Sequence, residues 1–390
     1  MAITKIDSSM LEDVSGADNL VKLDANAKIP AGTGANLLNR PGPFSSASDP
    51  TKTSNKAAGT EWLNTTSGEM YVCTNATTDS NIWTNVGDGS GDVQPWAFQG
   101  TAYGYTSGGH YNGSQLNVID KHSFTTDGNA TDVGDLTFVR TSGSGISGTT
   151  HGYVAGGRGT AWGTQNNSIE KFSFSSDGNA VDASDLLAAN SETAGQSSQT
   201  HGYVSGGNLS PHSNVIQKFS TVSDANATDV GDLTVGRKGC QGVSAPTYGY
   251  TAGGGSPYQN HIDKFPFASD SNATDVGDLS NPRASGACTS STTYGYMGGG
   301  DDPSTPPGAN SIEKWSFASD GNATSHGNLT REVYGCCGSS STSHGYTAGG
   351  YITGGYNNII DKYAFTSNTT ATDVGDLSTA RGDRPMGHQV

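Results

Sequence analysis

The chain has 390 residues and a formal net charge of −16, with 36 acidic against 20 basic side chains. The basic residues form no cluster, which argues against a nucleic-acid partner, because neutralising phosphates takes grouped lysines and arginines. No apolar run is long enough to insert across a membrane, the first residues lack a signal-peptide core, and the five cysteines are too irregularly spaced for a disulfide framework. Apolar residues make up only 32% and glycines number 56, a composition that points to disorder unless a repeat organises it.

Residues 1–58 show little periodicity and read as an extended N-terminal arm, since such a segment cannot build its own core. Residues 59–94 form a small β module and linker. Strands are predicted at 61–64, 69–73 and 81–86, with a turn at Thr66, Ser67 and Gly68, and the stretch 87–95 is a Gly/Asp linker.

From residue 95 to 390 the chain repeats itself. Tyr105, Tyr153, Tyr203, Tyr250, Tyr296 and Tyr346 recur at steps of 48, 50, 47, 46 and 50 residues, and Lys121, Lys171, Lys218, Lys264, Lys314 and Lys362 keep the same period. Each unit carries a short aromatic run ending in glycines such as Gly156 and Gly157. A loop of changing length follows, then an alternating stretch such as Ile169 to Phe174, and a turn at Asp177, Gly178 and Asn179. Helical periodicity is absent, so each unit predicts about four short strands. The fold expected is all-β: a six-bladed β-propeller at 95–390, in which each blade is buried on both faces by its neighbours. Small residues between units suit innermost strands crowded about an axis. Either the C-terminal tail or the segment 95–101 should supply the strand that closes the ring, and the tail, which matches the start of another unit, is the expected clasp.

The paired glycines and the later aromatic strand resemble kelch repeats over about residues 95–390, although the tryptophan usual after the turn is missing. That resemblance implies propeller architecture and leaves the activity open. The N-terminal stretch from Asp24 to Ala31 resembles the attachment ends of tailed-phage fibres. The element with Trp62, Tyr71 and Trp83 resembles a small β module of such fibres, including those of cyanophages. This likeness implies a virion structural protein, a tail fibre or other appendage. Its arm would dock on other virion subunits, as a homo-oligomer, and its C-terminal domain would face outward.

The Asp-rich turn from Asp127 to Asp135 offers oxygen ligands but lacks the spacing of a calcium loop, and hairpin chemistry accounts for it. No metal and no cofactor are expected. The six lysines, and Arg140, Arg237, Arg283 and Arg381, read as unit-to-unit ion pairs, the lysines in buried pairs with Asp132 and its counterparts. Cys240, Cys288 and Cys336 read as small residues beside the axis. No nucleophile with a base stands out, so an enzyme is not expected.

What varies between units is the loop after the glycines: 110–116, 158–165, 208–213, 255–260, 301–309 and 351–356. These loops should share one face. They carry Tyr111, Trp162, His212, Tyr258, Asp301, Asp302, Tyr351 and Tyr356, aromatic and polar side chains suited to sugar rings. The expected ligand is a host surface glycan or another virion subunit. The alternatives are a glycan-cleaving depolymerase and a cellular kelch-like interaction scaffold.

Overall fold

The computed structural model describes residues 43–86, 97–159, 164–304 and 308–390, and among them there is no helix. The chain divides into two compact units, Met1–Pro95 and Trp96–Val390.

In the first unit, Glu61–Asn64, Met70–Asn75 and Ile82–Asn85 form an antiparallel meander. A fourth strand, Phe44–Ser46, adds to it in parallel. The sheet therefore reaches back into the predicted arm, because Phe44 stacks on Trp62 at 4.5 Å and Trp62 packs edge-on against Trp83 at 5.6 Å. Both indoles are buried with satisfied N–H groups: Trp62 Nε1 donates to the Ser48 carbonyl at 2.9 Å and Trp83 Nε1 to that of Thr51 at 3.1 Å. Residues 1–42 of the arm and the linker 87–95 lie outside the described residues.

The second unit contains six four-stranded antiparallel sheets and two two-stranded hairpins among its described residues. One sheet runs Ser144–Ser147, His151–Ala155, Asn166–Ser173, Val181–Asn190, and the others repeat that order. The strand after the loop carries a bulge in each sheet, for example between Ile169 and Glu170. The bulge turns two successive side chains inward, which breaks the simple alternation of the pattern.

The first strands of the sheets lie close together because five of the six carry glycine at the second position. A Cβ on Gly242 would sit 2.0 Å from the Gly195 carbonyl oxygen, and one on Gly145 would sit 2.3 Å from that of Gly387. Just before each first strand, one residue donates its backbone N–H to its counterpart in another repeat. Glu192 donates to Ser142, Gly239 to Glu192, Ser285 to Gly239, Gly335 to Ser285, Arg384 to Gly335, and Ser142 to Arg384, at 2.7–3.2 Å. The circuit returns to its start. All six residues have positive φ, between 56° and 68°.

The repeated tyrosine also acts between sheets. Tyr153 packs on Phe219, Tyr203 on Phe265 and Phe267, and Tyr346, from the last sheet, stacks on Phe124 of the first at 4.8 Å. The first sheet is completed by the C-terminal strand: Met386–Gln389 pairs antiparallel with Tyr103–Ser107. Among the described residues of the competing segment, Gly100 makes an isolated parallel bridge to Ser341 and no named strand forms. Gln99 instead donates to the Ser290 carbonyl at 3.0 Å and Gly100 N–H to that of Ser340 at 2.8 Å.

The ion pairs divide into two kinds, and one corrects the sequence expectation. Five of the six lysines pair with the turn aspartate of another repeat rather than with Asp132 and its counterparts, among them Lys121 with Asp177 at 2.9 Å, Lys171 with Asp224 at 2.6 Å and Lys362 with Asp127 at 2.6 Å, while Lys314 meets Asn368 at 3.4 Å. These aspartates are about half exposed, so the pairs are surface contacts rather than buried ones. The arginines are the buried partners. Arg140 meets Glu170, Arg237 meets Asp263 at 3.2 Å, Arg283 meets Glu313 at 3.1 Å and Arg381 meets Asp120 at 2.8 Å.

Candidate functional site

Two of the variable loops, the first and the sixth, meet through their tyrosines. The loop strands His110–Tyr111 and Tyr351–Ile352 each close a two-stranded hairpin, with Ser114–Gln115 and Gly355–Tyr356. His110 Nδ1 hydrogen-bonds the Tyr356 hydroxyl, and Tyr351 donates its own hydroxyl to Tyr356 at 2.7 Å. The Tyr111 ring stands edge-on to Tyr356 at 5.6 Å, and Tyr334 stacks on Tyr351 at 5.1 Å with the planes 16° apart. Rings from the fifth-to-sixth link, the sixth loop and the first loop thus form one cluster.

A second group lies in the fourth and fifth loops. Tyr258 donates its hydroxyl to Asp301 Oδ2 at 2.5 Å, and that bond, ahead of burial, pushes the phenol up to about 12. Tyr334 joins the two groups electrostatically: burial raises its phenol first, and the carboxylates of Asp301 and Asp383 raise it further. Burial, then the bond to Tyr356, holds the Tyr351 phenol well above its ordinary value. These phenols are neutral hydroxyls at physiological pH, able both to donate and to accept.

Beside Tyr258 and Asp301 is a recess of about 410 Å³, also lined by Glu192, Lys238, Ser256 and Ser285. Glu192 is held in place by Arg158 and by Asn208 Nδ2 at 3.1 Å, with Lys238 Nζ at 3.8 Å. The loop face therefore has an aromatic side and a charged side. Flat rings, carboxylates and amides in one neighbourhood can meet the C–H faces and hydroxyls of sugars.

The other expected residues fall elsewhere. Asp302 is a correction: it is only 4% exposed, and its Oδ1 accepts the Ser304 N–H at 2.7 Å and hydroxyl at 2.6 Å. Those two bonds tie it into its own loop. His212 is half-buried, and its buried Nδ1 has no hydrogen-bond partner among the described residues. Trp162 lies outside the described residues. Repeat comparison confined to the loops passes over Glu192, Lys238 and Tyr334. All three sit in the short links before the first strands, where most repeats carry small residues, so their departure from the repeat is a readable signal.

Among the described residues no group of three or more His, Cys, Asp and Glu side chains is arranged to hold a metal ion. No protein-family model matches the chain, and no curated protein is significantly similar to it.

Proposed function

We propose that the Trp96–Val390 unit is a six-bladed, kelch-like β-propeller belonging to a tailed-phage virion structural protein, a tail fibre or other appendage. Residues 1–58 dock on the particle, and the loop face binds a host surface glycan or another virion subunit. Three features support the propeller: the cyclic circuit of backbone hydrogen bonds, the C-terminal strand completing the first sheet, and tyrosines that pack each sheet on another. The observation that carries the binding reading is the run of tyrosines, Tyr258, Tyr334, Tyr351, Tyr356 and Tyr111, shared among the later repeats and the first. Tyr111 and Tyr258 are each 37% exposed, leaving ring surface to offer.

The test is a bacterial-glycan array probed with the full chain and with a Tyr111→Ala/Tyr258→Ala/Tyr356→Ala variant. The expected result is binding that falls at least about tenfold in a variant whose melting curve is retained; each stacked ring contributes on the order of 1 kcal/mol. Undiminished binding removes the tyrosine face from the proposal. Labelling intact phage particles with an antibody to the chain tests the virion assignment separately. A hydrolytic reading has one observation in its favour, two carboxylates lining one recess, Glu192 and Asp301. Release of reducing ends from a bound polysaccharide would select it.

A further inference from the structure

Buried arginines in this protein come with a carboxylate, and one of them has only a distant one that it shares. Arg140, Arg237, Arg283 and Arg381 are each at most 2% exposed. Their carboxylates are Glu170, in direct contact, Asp263 at 3.2 Å, Glu313 at 3.1 Å and Asp120 at 2.8 Å. Arg384 is 6% exposed, and its closest ion pair is Glu192 Oε2, 3.9 Å from Nη1. That carboxylate already accepts from Arg158 and Asn208. Nη2 of Arg384 donates to the carbonyls of Thr193 at 3.3 Å and Cys240 at 3.1 Å, while Nε and Nη1 have no hydrogen-bond partner among the described residues. The neighbouring Asp383 forms no ion pair with it among the described residues, and burial raises its carboxyl above the ordinary value.

Arg384 lines a cavity of about 70 Å³, together with Ser144, Thr193, Gln241, Cys288 and Cys337 from the first strands of the sheets or just before them. This is room for a few waters and too little for a sugar. A guanidinium in such a place carries a desolvation penalty of several kcal/mol unless an opposite charge lies close to it. The thiols around it do not provide one. Burial pushes Cys337 up to about 11, Cys336 up to about 12 and Cys288 higher still, so they stay protonated and can act as weak donors.

We propose that this cavity is a binding site for a small monovalent inorganic anion, the size of chloride or bromide, held by Arg384. The anion supplies the counter-charge that the carboxylates give the other four arginines.

The experiment follows the melting temperature of the full chain in sodium chloride and in sodium gluconate at equal ionic strength, gluconate being too large for the cavity. The expected result is a melting temperature that rises with chloride concentration, by about 2 °C or more between 1 and 100 mM, and does not rise in gluconate. In an Arg384→Met variant the chloride dependence should vanish. Should that variant fail to fold, bromide-soaked crystals of the unaltered chain give the answer, with an anomalous peak expected in contact with Arg384. Equal melting in the two salts, a chloride effect that survives Arg384→Met, or bromide found only on the surface, an adventitious ion only, overturns the proposal.

Discussion

Each repeat solves one local problem with two adjacent residues. The bulge points the acid of an acid–lysine pair such as Glu170–Lys171 inward and the lysine outward. The inward carboxylate takes the arginine and also caps a turn: Asp263 accepts the Thr234 N–H at 2.9 Å and its hydroxyl at 2.7 Å. Where the acid becomes Gln217, the arginine position becomes Asn190, and Gln217 still accepts a backbone N–H, from Leu187 at 2.8 Å. The last repeat keeps the acid, Asp361, but has Val333 at the usual arginine position, and Arg331 pairs with the acid at 2.7 Å from two residues earlier. A buried charge left without its partner costs more than the pair contributes, so the two positions change together. Two buried histidines follow a different rule. His388 Nδ1 bonds the Ile146 carbonyl at 3.1 Å and Nε2 the Ser107 hydroxyl at 3.0 Å, an arrangement that satisfies the neutral ring. Burial lowers both His388 and His122 to about 4 from an ordinary value near 6.5. Above pH 6.5 both rings are neutral whether the chain is folded or not. As the pH falls, the unfolded chain takes up protons first, so stability is lost between about pH 6.5 and 4, at about 1.4 kcal/mol per pH unit for each histidine. Urea midpoints at pH 7.5, 5.5 and 4.5 should show this loss. A His388→Gln change, copying Gln196 at the same place in another repeat, should weaken it by one histidine's share; an unchanged pH slope would rule His388 out.

The C-terminal strand Met386–Gln389 is the element on which the first sheet depends. It buries Met386 and His388, and the Val390 carbonyl just beyond it accepts the N–H groups of Thr101, Ala102 and Tyr103 at 2.8–3.0 Å. Removing residues 384–390 would bare the edge of Tyr103–Ser107, a template for pairing with another chain. The shortened chain should melt about 10 °C or more lower and associate on a sizing column, a loss of several kcal/mol at this size. A synthetic peptide of residues 384–390 should reverse part of both effects, whereas an unaltered melting curve would mean the strand is dispensable. This element is legible in the amino-acid sequence because it matches the start of a unit. The strand Phe44–Ser46 is not, since three residues paired in parallel leave no alternation to read. The circuit of backbone hydrogen bonds is equally hidden. Ser142, Glu192, Gly239, Ser285, Gly335 and Arg384 share a backbone role but no side-chain chemistry. The lysine partner is easily mistaken because Asp127 and Asp132 lie in one acidic run, and only the placement of the turn separates them. On the loop face, the tyrosines in the variable loops are legible as interruptions of the repeat. Tyr334 and Lys238 escape that reading because they interrupt it in the links.

Across the whole Trp96–Val390 unit, the proposed closure has a consequence for how the protein opens. In an open array of repeats, each end has one neighbour and frays first. Here Tyr346 of the last sheet stacks on Phe124 of the first, Arg381 pairs with Asp120, and the Ser142 N–H donates to the Arg384 carbonyl. Each contact joins the end of the chain to its beginning, so no sheet is left terminal. Amide hydrogen exchange under native conditions reads this directly, because it reports the free energy at which each segment opens. Amides in Ser144–Ser147, Ala194–Ser197, Gln241–Ser244, Ala287–Ser290, Cys337–Ser340 and Met386–Gln389 should exchange with one common, high opening free energy. A graded series, with Met386–Gln389 and Tyr103–Ser107 opening well before Gln241–Ser244, would place a seam where the last strand meets the first. The molecule would then behave as an array that opens from its ends, and the propeller reading would lose the cooperativity it requires.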